Sequence, residues 1–329
     1  MTMDPKQFAS DQTVRWCPGC GDYAVLAAVQ KTLAALGIPR EKYVFVSGIG
    51  CSSRFPYYMN TYGFHGIHGR ALPVAAGVKC ADPSLQVWVA TGDGDALSIG
   101  GNHFIHTLRR NVDLKVLLFN NRIYGLTKGQ LSPTSEFGKK TKSTPWGSID
   151  FPVNPVALAL AAEATFVARA LAVDVAGLNE VLGRAARHQG LAFVEILQNC
   201  VVFNNGAWKE PEDRATREER VVRLRHGQPL VFGAAQNKGV RLRGSDPEAV
   251  AFPPGQPPQD LAVHDEKSPH MAALLSRMGE GGLPLPVGVF RAVRRPALHE
   301  LMEDQISKAR QAAPTDLQAV LNSPQEGVS

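Results

Sequence analysis

Two short polar motifs at a fixed interval constrain this chain more than its size does: Gly92-Asp93-Gly94, then twenty-five residues, then Asn120-Asn121. Each follows an apolar run, Leu85 to Ala90 before the first and Leu114 to Phe119 before the second. Runs of that length read as buried strands, so both motifs fall in loops at strand C-terminal ends. Between them, Ala96 to Arg110 has helical spacing and begins in glycine-rich sequence. A helix N-terminus there presents backbone N–H groups and a positive dipole end, which suits a phosphate. Asp93 offers a carboxylate, Asn121 an amide oxygen and Ile123 a backbone carbonyl. Magnesium takes hard oxygen donors of this kind and shares them with phosphate oxygens.

Alone, Gly92-Asp93-Gly94 is a tight turn and Asn120-Asn121 a polar loop start. With the spacing, the two strands and the helix taken together, the pair resembles the thiamine-diphosphate signature. That resemblance implies that Gly92, Asp93 and Gly94 hold diphosphate and magnesium together with Asn121 and Ile123. Asp95 falls in the same loop, and its plainer role is to cap the helix that follows.

The chain has 329 residues, enough for one large α/β domain with additions or for two domains. The patterning divides it into 1–208, which carries every motif, and 209–329, an extension expected to cover the sheet or grip another subunit. Apolar runs stay well short of the roughly 20 residues of a membrane span, and Met1 to Gln12 is polar. A soluble, cytoplasmic protein is expected. The formal charge is +5, with basic residues interleaved among acids, so neither nucleic acid nor a membrane is an expected partner.

Five cysteines without secretory features point to metal ligation instead of disulfides. Cys17-Pro18-Gly19-Cys20 forms a CxxC knuckle, and Cys51 and Cys200 each follow a strand-like run, Tyr43 to Ser47 and Leu191 to Leu197. If these strands share a parallel sheet, all such loops open on one side, and four thiolates converge near the cofactor. Zinc usually takes two close pairs, and a redox pair uses Cys17 and Cys20 alone. An iron–sulfur cluster accommodates Cys17, Cys20, Cys51 and Cys200 best. Cys80, inside the helical run Ala71 to Ala81, reads as a small buried hydrophobe.

The thiamine motif and the spread cysteines together resemble the β subunit of 2-oxoacid:ferredoxin oxidoreductases, from about Trp16 to Trp208. Gly48-Ile49-Gly50-Cys51-Ser52-Ser53, His68-Gly69-Arg70-Ala71 and Gly92-Asp93-Gly94-Asp95 look like its sequence blocks. So does Tyr124 to Gln130, which with the cysteines is most similar to the 2-oxoglutarate branch. The resemblance implies the diphosphate-binding half of the thiamine fold, a mostly parallel α/β sheet. It also implies thiamine diphosphate with Mg2+ and one 4Fe-4S cluster on the four cysteines, with Cys51 and Ser52 against the cofactor. The reaction implied is oxidative decarboxylation of 2-oxoglutarate with coenzyme A to succinyl-CoA and CO2, electrons passing to ferredoxin. Run backwards with strongly reduced ferredoxin, the same steps fix CO2. A thiamine enzyme of this kind needs a carboxylate from a pyrimidine-binding half, which the family places on a separate α subunit in an (αβ)2 assembly. The alternatives are the same chemistry on pyruvate or another 2-oxoacid, and a non-catalytic subunit stapled by zinc.

Three residues are expected on the substrate side. His68 lies in the block that the resemblance places near thiamine, where an imidazole can donate a hydrogen bond or shuttle a proton. Arg54, three residues beyond Cys51, and Lys128 are placed to meet the carboxylates of a dicarboxylic substrate. Leu131 to Trp146 reads as a long loop of the sort that contacts partners.

Overall fold

The computed structural model describes residues 3–279, 281–312 and 316–322; the end of the 209–329 extension, residues 323–329, lies outside them. The strands in chain order are β1 Tyr43–Ser47, β2 Tyr62–His65, β3 Gln86–Gly92, β4 Lys115–Asn120, β5 Phe166–Leu171 and β6 Ala192–Leu197. Beyond them come β7 Val221–Leu224, β8 Val231–Phe232, β9 Lys238–Arg243, β10 Asp246–Ala251 and β11 Leu285–Ala292. Eight form one sheet in the order β2-β1-β3-β4-β6-β5-β11-β7. The six from β2 to β5 are mutually parallel, so β1, β3, β4 and β6 all end at one lip.

Every residue of β1, β4, β5 and β6 is buried, as parallel strands covered on both faces must be. The period-two alternation sorts their side chains into two cores. Val44, Val46, Val116 and Leu118 pack with Leu72, Phe104, Leu108 and Val156. Tyr43, Phe45, Leu117 and Phe119 pack on the other face with Val25, Val29, Leu178 and Leu182. The helices Asp22–Leu36 and Val175–Arg187 therefore cover one face, and Ala71–Ala81, Gly101–Arg109 and Pro155–Ala161 the other. Gly37 stops the first of these in the left-handed region at φ 66°, as its place in the sequence predicts.

The single helix expected over Ala96 to Arg110 is two helices, Asp93–Leu97 and Gly101–Arg109. Gly100 approaches so closely that a Cβ there would stand 2.5 Å from the carbonyl oxygen of Asp95, and the chain can fold back only because it has none. The first piece is consequently one short turn given over to the motif, with Asp93, Gly94 and Asp95 all buried. The chain before His68 forms β2, an edge strand whose four residues are all exposed.

The sheet also continues past position 208. β11 pairs antiparallel with β5, and β7 pairs parallel with β11. Pro286 and a register shift between Val289 and Arg291 disguise β11 in the sequence. A separate antiparallel sheet, β10-β9-β8, flanks it. Among the described residues no helix is long and apolar enough to cross a membrane.

Candidate functional site: a cleft and a cysteine cage at one sheet lip

Loops leaving β1, β3, β4 and β6 border a cleft of about 210 Å³, whose lining includes Cys51, Ser52, His68, Asp93, Asn121 and Ile123. The sequence-predicted diphosphate and magnesium residues are thus brought together. Asp93 is 2% exposed, and burial pushes its carboxyl up to about 6 while hydrogen bonds from Ser132 and Thr134 pull it back. Both hydroxyls sit on Asp93 Oδ2, and the Thr134 hydroxyl is also 2.9 Å from Asn120 Oδ1. A hydroxyl has one proton to give, so Thr134 serves these two acceptors alternately.

The paired asparagines divide their work. Asn120 turns into the sheet, donating to Glu195 Oε1 at 2.8 Å, while Glu195 Oε2 accepts from Arg169 Nε at 2.6 Å. Trp208 Nε1 donates to the Asn120 carbonyl at 2.9 Å. Asn121 instead lines the cleft, its Oδ1 accepting the Ile123 N–H at 3.1 Å, and Asn204 Nδ2 donates to its carbonyl at 3.0 Å. Asp93, Asn121 and Ile123 all line the cleft, and the carboxylate, amide oxygen and backbone carbonyl they carry are the hard-oxygen donors that magnesium takes. Tyr124 closes the turn by donating from its hydroxyl to the Gly94 carbonyl at 2.9 Å. Its ring leaves no room for a side chain at Gly94, where a Cβ would lie 2.3 Å away.

Asp95 does not cap the following helix. It lies inside Asp93–Leu97, and its carboxylate ties three loops together. Oδ1 accepts from the Ile49 N–H at 3.0 Å, the Gly69 N–H at 2.7 Å and His68 Nδ1 at 2.8 Å, while Oδ2 accepts from Thr91 Oγ1 at 2.7 Å. Gly48 must lack a side chain because a Cβ would fall 2.1 Å from Asp95 Oδ2. With Nδ1 spent on Asp95, His68 keeps Nε2 for the cleft it lines. His65, by contrast, is bound by the Ser53 carbonyl at 2.7 Å and by Ser47.

Cys51 lines this cleft, and Cys17, Cys20 and Cys200 lie near enough to interact with it electrostatically; Cys80 lies on the helix Ala71–Ala81. Cys51 and Cys200 both face Gly125, a Cβ on which would stand 3.6 Å from one sulfur and 3.5 Å from the other. Burial holds the Cys20 thiol far above the ordinary range, reinforced by Asp22 and by the neighbouring Cys51 and Cys200. Burial pushes the Cys51 thiol up to about 12, again with Asp22, Cys200 and Cys17 adding to the effect. Thiols in such surroundings give up their protons to a metal and are inert as redox nucleophiles. Among the described residues no three His, Cys, Asp or Glu side chains converge tightly enough to hold a single ion. Asp22, the first residue of the helix after the knuckle, is fully buried, and burial raises it to about 7 while the neighbouring Cys20 side chain pulls it back. Trp16 Nε1 donates to the Cys51 carbonyl at 2.7 Å, tying the knuckle to the second cysteine loop.

Residues 48–196 match the family described as thiamine pyrophosphate enzyme, C-terminal TPP binding domain. The 2-oxoglutarate oxidoreductase subunit KorB of Mycobacterium tuberculosis is 55% identical over 318 residues, covering 96% of this chain and 85% of that protein. The chain belongs to the β subunits of the 2-oxoacid:ferredoxin oxidoreductases. Within this β-subunit family, the 2-oxoacid:ferredoxin oxidoreductase subunit beta of Saccharolobus solfataricus is 49% identical over 201 residues, 60% of this chain and 66% of that one. The 2-oxoglutarate:ferredoxin oxidoreductase from Magnetococcus marinus, solved with 2-oxoglutarate, coenzyme A and succinyl-CoA bound, superposes on 98% of this chain and 97% of its own. Its TM-score is 0.78 at 34% identity.

On this β subunit, the two cations expected to meet substrate lie outside the cleft lining. Arg54 lines an adjoining cavity with Arg15, Tyr57 and His65, which shares Ile49, Gly50 and Leu126 with the cleft. Its Nη1 donates to the Arg15 carbonyl at 3.2 Å. Lys128 is exposed, with φ 78°, on the Tyr124–Gln130 turn whose Gly125 and Leu126 line the cleft. Sequence reasoning missed Ser132, Thr134, Asn204, Glu195 and Arg169. The long loop was the available signal for the first two; the others are polar residues in or beside buried strands, where a lone Glu or Arg has to have a partner.

Proposed function

We propose that this chain is the cofactor-carrying β subunit of a 2-oxoglutarate:ferredoxin oxidoreductase, converting 2-oxoglutarate and coenzyme A to succinyl-CoA and CO2 and passing the electrons to ferredoxin. The observation that carries the reading is the shared wall between cleft and cage: Cys51 lines the cleft, and Gly125 touches both the cleft and two of the sulfurs. Thiamine diphosphate, when bound, supplies the electron sink that decarboxylation of a 2-oxoacid requires. Asp93, Asn121 and the Ile123 carbonyl hold Mg2+ and through it the diphosphate, with Gly92 and Gly94 allowing close backbone approach. His68, its Nδ1 anchored by Asp95, holds or moves a proton at Nε2. Arg54 receives the distal carboxylate from the adjoining cavity, and Lys128 closes over it from the Tyr124–Gln130 turn.

Cys17, Cys20, Cys51 and Cys200 would hold a 4Fe-4S cluster, which when bound would supply one-electron acceptance. Zinc fits less well, because its structural sites usually draw on two close pairs in the sequence, whereas Cys51 and Cys200 come singly from distant loops. A dithiol redox pair fits less well still, because Cys20 is pushed away from the thiolate instead of towards it.

The carboxylates lining the cleft, Asp93 and Asp95, are both engaged at the diphosphate end. Activation of the aminopyrimidine therefore falls to an α subunit, in an (αβ)2 assembly. The test is turnover by the purified α–β pair with coenzyme A and ferredoxin. 2-Oxoglutarate is expected to exceed pyruvate by at least tenfold in kcat/KM, and the β chain alone to be inactive. Preference for pyruvate would move the substrate assignment, and turnover by the single chain would overturn the need for a partner.

A further inference from the structure

Among the described residues, the most exposed aromatic and aliphatic side chains fall in one loop. Trp146 is 94% exposed, Ile149 85% and Phe151 82%. Phe137 stacks on Phe151 with ring centroids 5.0 Å apart and an interplanar angle of 17°. Monomeric surfaces seldom gather large apolar groups this way, and aromatic clusters mark the centres of protein interfaces. The loop lacks helix and strand, yet it is strapped to itself. The Gly138 N–H donates to the Ser148 carbonyl at 2.8 Å, and the Ser148 N–H to the Lys139 carbonyl at 2.9 Å.

Two polar ties run from this strap to the cradle. Near its start, Ser132 and Thr134 sit on Asp93. Further along, Lys139 Nζ donates to Asn204 Oδ1 at 2.5 Å, and Asn204 Nδ2 donates to the Asn121 carbonyl. The Asp93 side chain and the Asn121 main-chain carbonyl are thus each tied by hydrogen bonds to the loop that carries the apolar strap.

We propose that the Phe137–Phe151 strap is the seat of the pyrimidine-side α subunit, and that its docking is coupled to binding of Mg2+ and diphosphate through the Asp93 and Asn121 ties. The inference rests on the function proposed above. The occupant follows from the incompleteness of the cleft: a subunit that adds the missing carboxylate has to cover the lip to which the strap is tied. Exposed Lys140, Lys142 and Asp150 give the aromatic centre the polar rim that such interfaces have. An electron carrier would instead approach the cage at its exposed corner, Cys17.

The test is sedimentation of the full β chain with its α subunit, with and without thiamine diphosphate and Mg2+. The double variant Trp146→Ser/Phe151→Ser is expected to weaken association with α at least a hundredfold, while the variant chain keeps its melting temperature and iron content. Leu301→Ser, on the exposed helix Leu298–Ala312, is expected to leave association unchanged. Cofactor and metal should tighten the wild-type pair at least tenfold, and the Lys139→Ala pair less than twofold. Unchanged α affinity in the double variant would overturn the assignment. So would a double variant that loses only self-association of the β chain, since the seat would then belong to a second copy. Equal tightening in wild type and Lys139→Ala, or none in either, would overturn the coupling. These affinities are read without turnover, so a wrong substrate assignment would leave them intact.

Discussion

Asp93 is buried and Cys20 half-buried at the same lip of the same sheet, and in both cases burial favours the neutral form, yet their surroundings treat that burial differently. Asp93 is met by the hydroxyls of Ser132 and Thr134, and its neighbour Asn120 is wired through Glu195 to Arg169 inside the sheet. Cys20 is met by other sulfurs and by the Asp22 carboxyl, whose charges oppose its ionisation, while the Asp22 backbone N–H works the other way. The cradle is assembled by folding, because its polar groups satisfy one another. On the function proposed above, the four sulfurs are complete only with a metal, whose charge offsets four thiolates at once. That reading assigns preorganisation to the diphosphate end and metal-coupled ordering to the sulfur end.

The largest effect that would break this contrast is on the cage. Cys200→Ser is expected to remove essentially all the iron from anaerobically purified protein, from about four atoms per chain, while thiamine diphosphate affinity changes less than threefold. Iron analysis with isothermal titration calorimetry checks both halves; loss of cofactor binding as well would make the two sites one unit. Next comes the wiring of the cradle. Glu195→Ala leaves Arg169 buried without its partner and should cost about 3–5 kcal/mol in denaturant unfolding, the range for breaking a buried ion pair. A loss below about 1 kcal/mol would show that the sheet does not depend on the pair.

Smaller still, Thr134→Val keeps the shape but removes one of the hydroxyls that orient Asp93. Magnesium affinity in the presence of thiamine diphosphate should fall about tenfold, the lower end for groups that orient a metal ligand. An unchanged titration would leave Ser132 as the sole support. The smallest effect is on pH. Burial, and then the charge of Lys115, lower His188 from 6.5 to about 4 in the folded chain. The unfolded chain then binds the proton more readily, so stability is lost as pH falls from about 6.5 to about 4. His188→Gln should flatten that part of the stability profile without moving cofactor or iron content.

Much of the cradle was legible because its residues are close in sequence to strand ends. A strand, a turn and a helix start place Asp93, and the apolar run before Asn120 fixes which side of the sheet it reaches. The division of labour between Asn120 and Asn121 was not legible. It depends on Glu195 lying across β6 from β4, a pairing that two apolar runs cannot disclose. Asp95 was misread for the same reason: three of its four partners lie in other loops, at Ile49, His68 and Gly69. The strands β7 and β11 escaped notice because they are short or carry Pro286 and Gly288, and their pairing partners are distant in sequence. The cysteines could be grouped from the sequence only through the assumption of a parallel sheet, which β1 and β6 satisfy.

The central claim is that cradle and cage are close enough to exchange electrons. It is tested most directly by electron paramagnetic resonance of the anaerobic α–β pair given thiamine diphosphate, Mg2+ and 2-oxoglutarate, with ferredoxin withheld. The account predicts a reduced-cluster signal that appears with substrate and is absent in Cys51→Ser. Carbon dioxide released while an intact, iron-replete cluster stays oxidised would contradict it.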